Sequence, residues 1–411
     1  MMGRMEIPFN KSVRLKNHFK FLEEVLRSGD TSGNGIFGRH CEAILSGIAG
    51  KPVRLTNSGS SALEMMSILL GIGPGDEVII PSFTFPSTAN AFALRGVKLR
   101  FADNDEFGNI SVREVARLIN KRTRAAVAVH YAGTSADMDP LLSLCHQAGI
   151  FLVEDAAQAL GAEYRGRPLG ALGTLGCYSF HETKNYICGE GGALCINDPH
   201  FIERAEILRD KGTNRQQFFR GEVDKYTWVD IGSSYVPSEI ASAFLFGQLE
   251  MLDAMRVRRR AIFDNYSRLL KPLIDAGLLR SPVIPMSCES NYHTFYCLLP
   301  SAEARDAALD HCRANHISAV FHYVPLHSSP FCRNLFSEVP HLPVTDDLSA
   351  RLLRLPMFYE LTETQQHRVS TVLAEFCLTM RSESTDSIAR NHEQSTGDRS
   401  TLTDSLLPGG P

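Results

Sequence analysis

Between Val53 and Asn197, short apolar runs of strand length alternate with amphipathic stretches of helical period. The strand-like runs are Glu77 to Pro81, Lys98 to Ala102, Ala125 to His130, Phe151 to Glu154, Cys177 to Phe180 and Ala193 to Asn197. Between them, Ser60 to Leu70, Thr84 to Leu94, Val112 to Asn120 and Leu141 to Ala148 read as helices. That alternation predicts an α/β fold with a mostly parallel central sheet covered on both faces. In such a sheet, ligands gather at the carboxyl ends of the strands.

The pattern changes after Pro237. Residues 1–236 are expected to form an N-terminal segment and the large α/β domain, and residues 237–276 a long connecting helical segment. Its basic stretch Arg256-Val257-Arg258-Arg259-Arg260 reads as a solvated helix face rather than a binding patch. Residues 277–380 then pass through strand (Tyr292 to Leu299), helix (Ala302 to Asn315), strand (Ala319 to Val324) and closing helices, which predicts a smaller C-terminal α+β domain. Residues 381–411 are rich in Ser, Thr, Asp and Gly with little apolar periodicity, and are expected to be a disordered tail.

At 411 residues and 44% hydrophobic, the chain can bury a core large enough for two domains. A net charge of −4 gives no basic excess, so neither nucleic acid nor an anionic membrane surface is the expected partner, and an anionic ligand must be met by local charge. No signal-peptide pattern and no apolar run of about 18 residues is present, so a cytoplasmic protein is expected. The ten cysteines contain no CxxC pair; they read as small buried hydrophobes, and no metal site is expected.

Lys184 carries the chemistry. It stands in Ser179-Phe180-His181-Glu182-Thr183-Lys184-Asn185-Tyr186, downstream of Val153-Glu154-Asp155-Ala156-Ala157-Gln158 and ahead of Gly189-Glu190-Gly191-Gly192. An acid ending a strand, then a lysine between a serine and a glycine-rich turn, is the set that pyridoxal 5′-phosphate requires. The lysine holds the aldehyde covalently, Asp155 keeps the pyridine nitrogen protonated, and Ser179 helps hold the phosphate. Gln158, one helical turn beyond Asp155, would face the ring or its phenolic oxygen.

Each residue has a plainer reading. An acid after a strand often caps the next helix, and most lysines are solvated charges. Thr56-Asn57-Ser58-Gly59-Ser60-Ser61 opens a helix and can cradle a dianion through Gly59 and Ser60, or merely cap the helix. Phe85 is a candidate to stack on the pyridine face, with a core role as its alternative. The glycines at 189–192 lack the GxGxxG and P-loop spacings, and are expected to let backbone pass close to the cofactor.

With those residues assembled, the chain resembles the sugar-nucleotide aminotransferases of the DegT/DnrJ/StrS type, members of the fold-type I pyridoxal phosphate enzymes. The likeness runs from Ile7-Pro8-Phe9-Asn10 to about Met380. It rests on Pro81-Ser82-Phe83-Thr84-Phe85, Ala89-Asn90-Ala91-Phe92-Ala93-Leu94-Arg95-Gly96, Val129-His130-Tyr131-Ala132-Gly133 and His181-Glu182-Thr183-Lys184-Asn185-Tyr186. Lys211-Gly212-Thr213-Asn214-Arg215, the loop from Phe218 to Trp228, and Ile231-Gly232-Ser233-Ser234-Tyr235 are most similar to the subgroup that makes dTDP-4-amino-4,6-dideoxygalactose for enterobacterial common antigen.

The resemblance implies a homodimer with shared active sites, L-glutamate as amino donor and dTDP-4-keto-6-deoxyglucose as acceptor. Many relatives supply an asparagine from the segment matching Gly232 to Val236 to the partner subunit's cofactor phosphate; here Ser233 or Ser234 would substitute. Dehydratase relatives have histidine where transaminases have lysine, and Lys184 places this chain with the transaminases. Arg215, Arg220 and Lys225 are candidates to meet the sugar diphosphate or the donor carboxylate, with plain surface charge as their alternative. His322 and His327 are candidates to line the sugar pocket, or are structural histidines. A cofactor-binding sensor without turnover is the alternative from another class.

Overall fold

The structure, a computed structural model, describes residues 7–13, 16–335 and 339–397. Its centre is a seven-stranded sheet of β1 (Val53–Thr56), β2 (Glu77–Pro81), β3 (Lys98–Ala102), β4 (Thr123–Val129), β5 (Phe151–Asp155), β6 (Leu175–Ser179) and β7 (Gly192–Ile196). In space the order is β1-β7-β6-β5-β4-β2-β3. Every pair from β6 to β3 is parallel, whereas β7 runs antiparallel to both β6 and β1.

Successive residues of one strand feed opposite cores. Ile79, Ala126, Ala128 and Leu152 pack with Leu45, Leu141 and Tyr178 on one face. Val78, Ile80, Val127, Val153 and Leu175 pack with Leu63, Met66 and Phe92 on the other. This two-sided burial explains why the strands read as continuous apolar runs. Helix α1 (Gly59–Leu69) follows β1, and α2 (Pro86–Ala93) follows β2 with proline in its first turn, where the missing N–H costs nothing.

The single helical segment expected over 237–276 is two helices, α3 (Glu239–Leu249) and α4 (Leu252–Asp275). Met251 at the break has φ −104° and ψ 13°, outside helical values. The break lets the two pieces serve different cores: Leu245 and Leu249 join the large domain, while Ile262, Phe263, Tyr266, Leu270 and Leu273 fill the small one beside Phe295, Leu299 and Leu353. Residues 237–276 therefore contribute side chains to two separate cores.

The basic stretch on α4 is not simply a solvated face. Arg259 is buried and donates to the carbonyls of Tyr292 and His293, and Arg258 donates to those of Tyr359 and Leu361. Burial lowers the Arg259 pKa to about 10. These side chains tie α4 to two irregular segments that lead toward the cleft.

In the small domain the expected strand over Ala319 to Val324 is reduced to one bridge, Val320 with Arg354; the ladder is instead Tyr296–Leu298 against Leu352–Arg354. The tail also differs from expectation. Helix α5 (Glu363–Gly397) continues through Arg381, because no glycine or proline interrupts it before Gly397. Residues 398–411 lie outside the described residues.

Candidate active site

Strand register decides which side chains meet. Val129, Asp155 and Cys177 are paired across β4, β5 and β6, and Thr56, Gly192 and Ser179 are paired across β1, β7 and β6. They lie toward the end of the sheet at which β1, β4, β5 and β6 finish. Ser58, the N-cap of α1, accepts from the Ser61 N–H, which leaves the first turn of α1 open beside Ser179. A Cβ on Gly59 would come within 2.9 Å of the Ser179 Cβ, and one on Gly192 within 2.3 Å of the Ser58 carbonyl carbon. The glycines thus carve a cradle from α1, Ser60 and Ser179, and Gly192 approaches the cradle's own backbone rather than a bound ligand. Ser60 Oγ is 2.6 Å from Ser87 Oγ at the start of α2, joining two helix N-termini at the cradle.

The carboxylate of Asp155 is buried and doubly held. Thr88 Oγ1 donates to Oδ2 at 2.7 Å, and the Ala157 N–H donates to Oδ1 at 3.1 Å. Thr84 Oγ1 lies 2.8 Å from Thr88 Oγ1. Lys184 shares a cleft of about 740 Å³ with Asp155, Gln158, Ser179, Phe85, His293 and Tyr323. Burial lowers the Lys184 pKa, opposed by the Asp155 carboxylate. A depressed lysine offers more free amine near neutrality.

The far wall comes from the small domain and was invisible in the sequence apart from His322. Tyr323 OH accepts from Gln158 Nε2 at 2.7 Å, while Gln158 Oε1 accepts from the Ala132 N–H at 2.7 Å. Gln158 therefore braces the wall as well as lining the cleft. The ring of His322 stacks on Tyr323 with centroids 3.7 Å apart, and its Nδ1 is 2.7 Å from Tyr131 OH. His293 Nδ1 lies 2.9 Å from Asn185 Oδ1, one residue past the lysine. Burial, reinforced by the nearby Lys184 charge, pushes the His293 pKa well below its usual value. Phe85, 58% exposed, stands at the cleft with its centroid 6.3 Å from that of Tyr323, so one face is available for stacking.

Residues 15–374 match the model of the DegT/DnrJ/EryC1/StrS aminotransferase family. The chain belongs to this family. It is 33% identical over 322 residues to the pleiotropic regulatory protein of Geobacillus stearothermophilus, covering 78% of this chain and 83% of the relative. Among solved structures it is similar to DesV of S. venezuelae (32% identity, TM-score 0.81, covering 90% of this chain and 98% of DesV). It is also similar to the aminotransferase TlmJ of Streptoalloteichus hindustanus (28% identity, TM-score 0.84, 91% and 100% covered). The fold is that of the fold-type I pyridoxal phosphate enzymes.

The cofactor of this aminotransferase is pyridoxal 5′-phosphate, and the side chains present fit it. Lys184 would supply the amine, Asp155 the buried acid for the ring nitrogen, and the glycine-shaped cradle the phosphate site. Three expected cations lie elsewhere. Arg220 is neutralised by Glu206 (2.8 Å) and Glu222 (2.6 Å), Arg215 lies over the Phe219 ring at 5.1 Å, and Lys225 is exposed; none lines the cleft of its own chain. Nor does His327 line it. Its Nδ1 is 2.7 Å from Ser82 Oγ and its Nε2 3.3 Å from Asp346, which makes it a structural tie. Ser234 lies outside the cleft, its carbonyl accepting from Asn57 Nδ2 at 3.0 Å.

Proposed function

We propose that this aminotransferase moves the amino group of L-glutamate to C4 of dTDP-4-keto-6-deoxyglucose, giving dTDP-4-amino-4,6-dideoxygalactose and 2-oxoglutarate. The observation that carries the reading is one cleft containing Lys184, Asp155 and the Gly59–Ser60–Ser179 cradle. The subgroup likeness of residues 211–235 supports the sugar. Other 3- or 4-keto deoxysugar nucleotides are the competing acceptors.

Pyridoxal phosphate, when bound, supplies an aldehyde for the amine and a ring that accepts the electrons left when a proton is removed. Lys184 Nζ would anchor that aldehyde and, as a free amine, would serve as the base for the proton on the donor Cα. Asp155, its orientation fixed by Thr88 and the Ala157 N–H, would hold positive charge at the ring nitrogen. The α1 N-terminus and Ser179 position the phosphate. Phe85 and Tyr323 line the cleft in which the ring would sit, and Phe85 would stack on its face.

The proposed assembly is a cytoplasmic homodimer. Phe219 and Trp228 are 62% and 75% exposed on the loop preceding Gly232 to Val236, the segment that the family likeness directs at a partner subunit, and apolar surface of this kind favours association. Among the described residues, no helix is long and apolar enough to cross a membrane. Incubation of the holoenzyme with glutamate and dTDP-4-keto-6-deoxyglucose, followed by NMR, tests the assignment: an axial 4-amino product is expected, and absence of any aminosugar refutes it.

The regulatory name of the Geobacillus relative favours one second reading, a cofactor-binding sensor without turnover. Glutamate must bleach the visible band of the lysine-bound cofactor in a transaminase; a sensor leaves it intact.

A further inference from the structure

Three groups donate to the Asp155 carboxylate. Thr88 Oγ1 donates to Oδ2 at 2.7 Å, the Ala157 N–H to Oδ1 at 3.1 Å, and the Cys177 thiol to Oδ1 at 3.7 Å. Asp155 is 6% exposed, and Thr88 and Cys177 are fully buried. The thiol keeps its proton, because burial, reinforced by the Asp155 carboxylate, pushes its pKa well above the usual value. Cys177 is therefore a hydrogen-bond donor and not only a small apolar side chain. A carboxylate offers about four acceptor sites, so three donors leave one, on Oδ2 beside Thr88.

The direction of the hydroxyl chain follows from the same chemistry. An ionised carboxylate only accepts, so the single Thr88 hydroxyl proton goes to Asp155, and Thr84 Oγ1, 2.8 Å from Thr88 Oγ1, must donate to Thr88. Thr84 stands just ahead of α2 and Thr88 in its first turn, where the helix dipole also favours a negative charge. Cys177 reaches Asp155 through strand register. The two residues are paired across the parallel strands β5 and β6, so their side chains project to the same face. Lys184 is close enough for the charge of Asp155 to act on it, which places this cluster at the chemistry.

Burial works against a charged pair here. A pyridinium and a carboxylate shielded from water can become a neutral pair when one proton moves from nitrogen to oxygen, with no other bond made or broken. Donors to the carboxylate stabilise its ionised form alone, so each opposes that transfer. We infer that Cys177, together with Thr88 polarised by Thr84, keeps the proton on the cofactor's ring nitrogen rather than on Asp155. Thr84, Thr88 and Cys177 are positioning residues, acting through Asp155. The inference rests on the reading of Asp155 as partner of that nitrogen, and is independent of the sugar and of turnover.

The test loads the protein with pyridoxal 5′-phosphate isotopically labelled at the ring nitrogen and reads that nitrogen's NMR resonance, which reports the proton directly. Thr88→Val keeps the shape and removes the hydroxyl, and is expected to move the resonance toward the unprotonated position. Cys177→Ala should move it less, a thiol being a weak donor, and Thr84→Val least, because Thr88 still reaches Asp155. Bleaching of the visible cofactor band by L-glutamate should slow by about 10-fold, about 3-fold and about 2-fold in that order. Thr88→Ser and Cys177→Ser restore a donor and should return the resonance toward its wild-type position, a rescue that a role in packing alone does not predict. Retention of the visible band reports that each variant is folded and loaded; if Thr88→Val loses it, Cys177→Ala, on the other oxygen, carries the test. An Asp155→Asn control separates the failures. If the control moves the resonance and neither Thr88→Val nor Cys177→Ala does, the inference is overturned and Asp155 remains the partner of the ring. If the control leaves it unmoved, the Asp155 reading falls and the inference with it. If the resonance moves as expected but glutamate never bleaches the wild type, the transaminase reading fails and the inference stands.

Discussion

One wall of the cleft is the edge of a single sheet, whereas the other is assembled from segments that meet only through packing of the small domain. On the sheet side, Asp155, Ser179 and the loop after β1 are brought together by strand register, and small shifts would move them as a set. On the far side, Tyr323, His293 and Arg354 lie on three separate pieces of chain, held by Gln158, Asn185 and the Phe321 carbonyl. The difference suggests a division of labour: a rigid sheet edge suits an invariant cofactor, and a wall of independent pieces can be adjusted for substrates.

If that division is right, substitutions on the sheet side should damage cofactor chemistry and those on the far side substrate use or stability. Lys184→Ala is expected to reduce turnover by at least about four orders of magnitude with the fold intact, since anchor and base are lost together; steady-state assay with circular dichroism checks both. Asp155→Asn should lower kcat by at least about 100-fold while retaining cofactor, measured by kinetics and bound-cofactor absorbance.

Gly192→Ala drives a methyl group into the Ser58–Gly59 backbone and should weaken cofactor retention by about 1–3 kcal/mol, read as a dissociation constant after dialysis. A cofactor affinity unchanged in that variant would break the link between register and cradle.

The far wall makes a prediction about pH. His293 is buried with a pKa well below its usual value, so below about pH 6.5 the unfolded chain takes up a proton that the folded chain refuses. Stability should therefore fall as pH drops from 7 to 5.5, by at most about 1.4 kcal/mol per pH unit for this one group, and His293→Gln should flatten the slope. Thermal melts across that range test it. The smallest effect is expected from Tyr323→Phe, which removes one hydrogen bond to Gln158; a cost of about 1 kcal/mol should appear in KM for the acceptor with cofactor content unchanged.

Legibility followed the same line. Asp155 and Lys184 could be read because each directly ends or follows an apolar strand, and Gly59, Ser60 and Ser179 because helix starts and strand ends carry local signals. Thr88 was hidden inside a helix pattern, and its bond to Asp155 spans 67 residues. Arg354 carried no local signal, while Arg215 and Arg220 stood out because they sit in a distinctive loop. Arg259, in a run that reads as solvated, is buried by contacts with residues more than 30 positions away. The helical extent of α5 beyond Met380 follows from the absence of helix breakers, a signal masked by the polar composition of that segment.

The amino-acid sequence by itself determined the parallel sheet and the family, and singled out Lys184 and Asp155, which share one cleft, because strand periodicity and short motifs act over neighbouring residues. Only the tertiary structure decided which cations face the cleft and what braces its far wall. Those choices depend on desolvation and pairing between residues far apart in the chain: Arg220 is neutralised on the surface by Glu206 and Glu222, while Arg354 is turned inward without a carboxylate partner among the described residues.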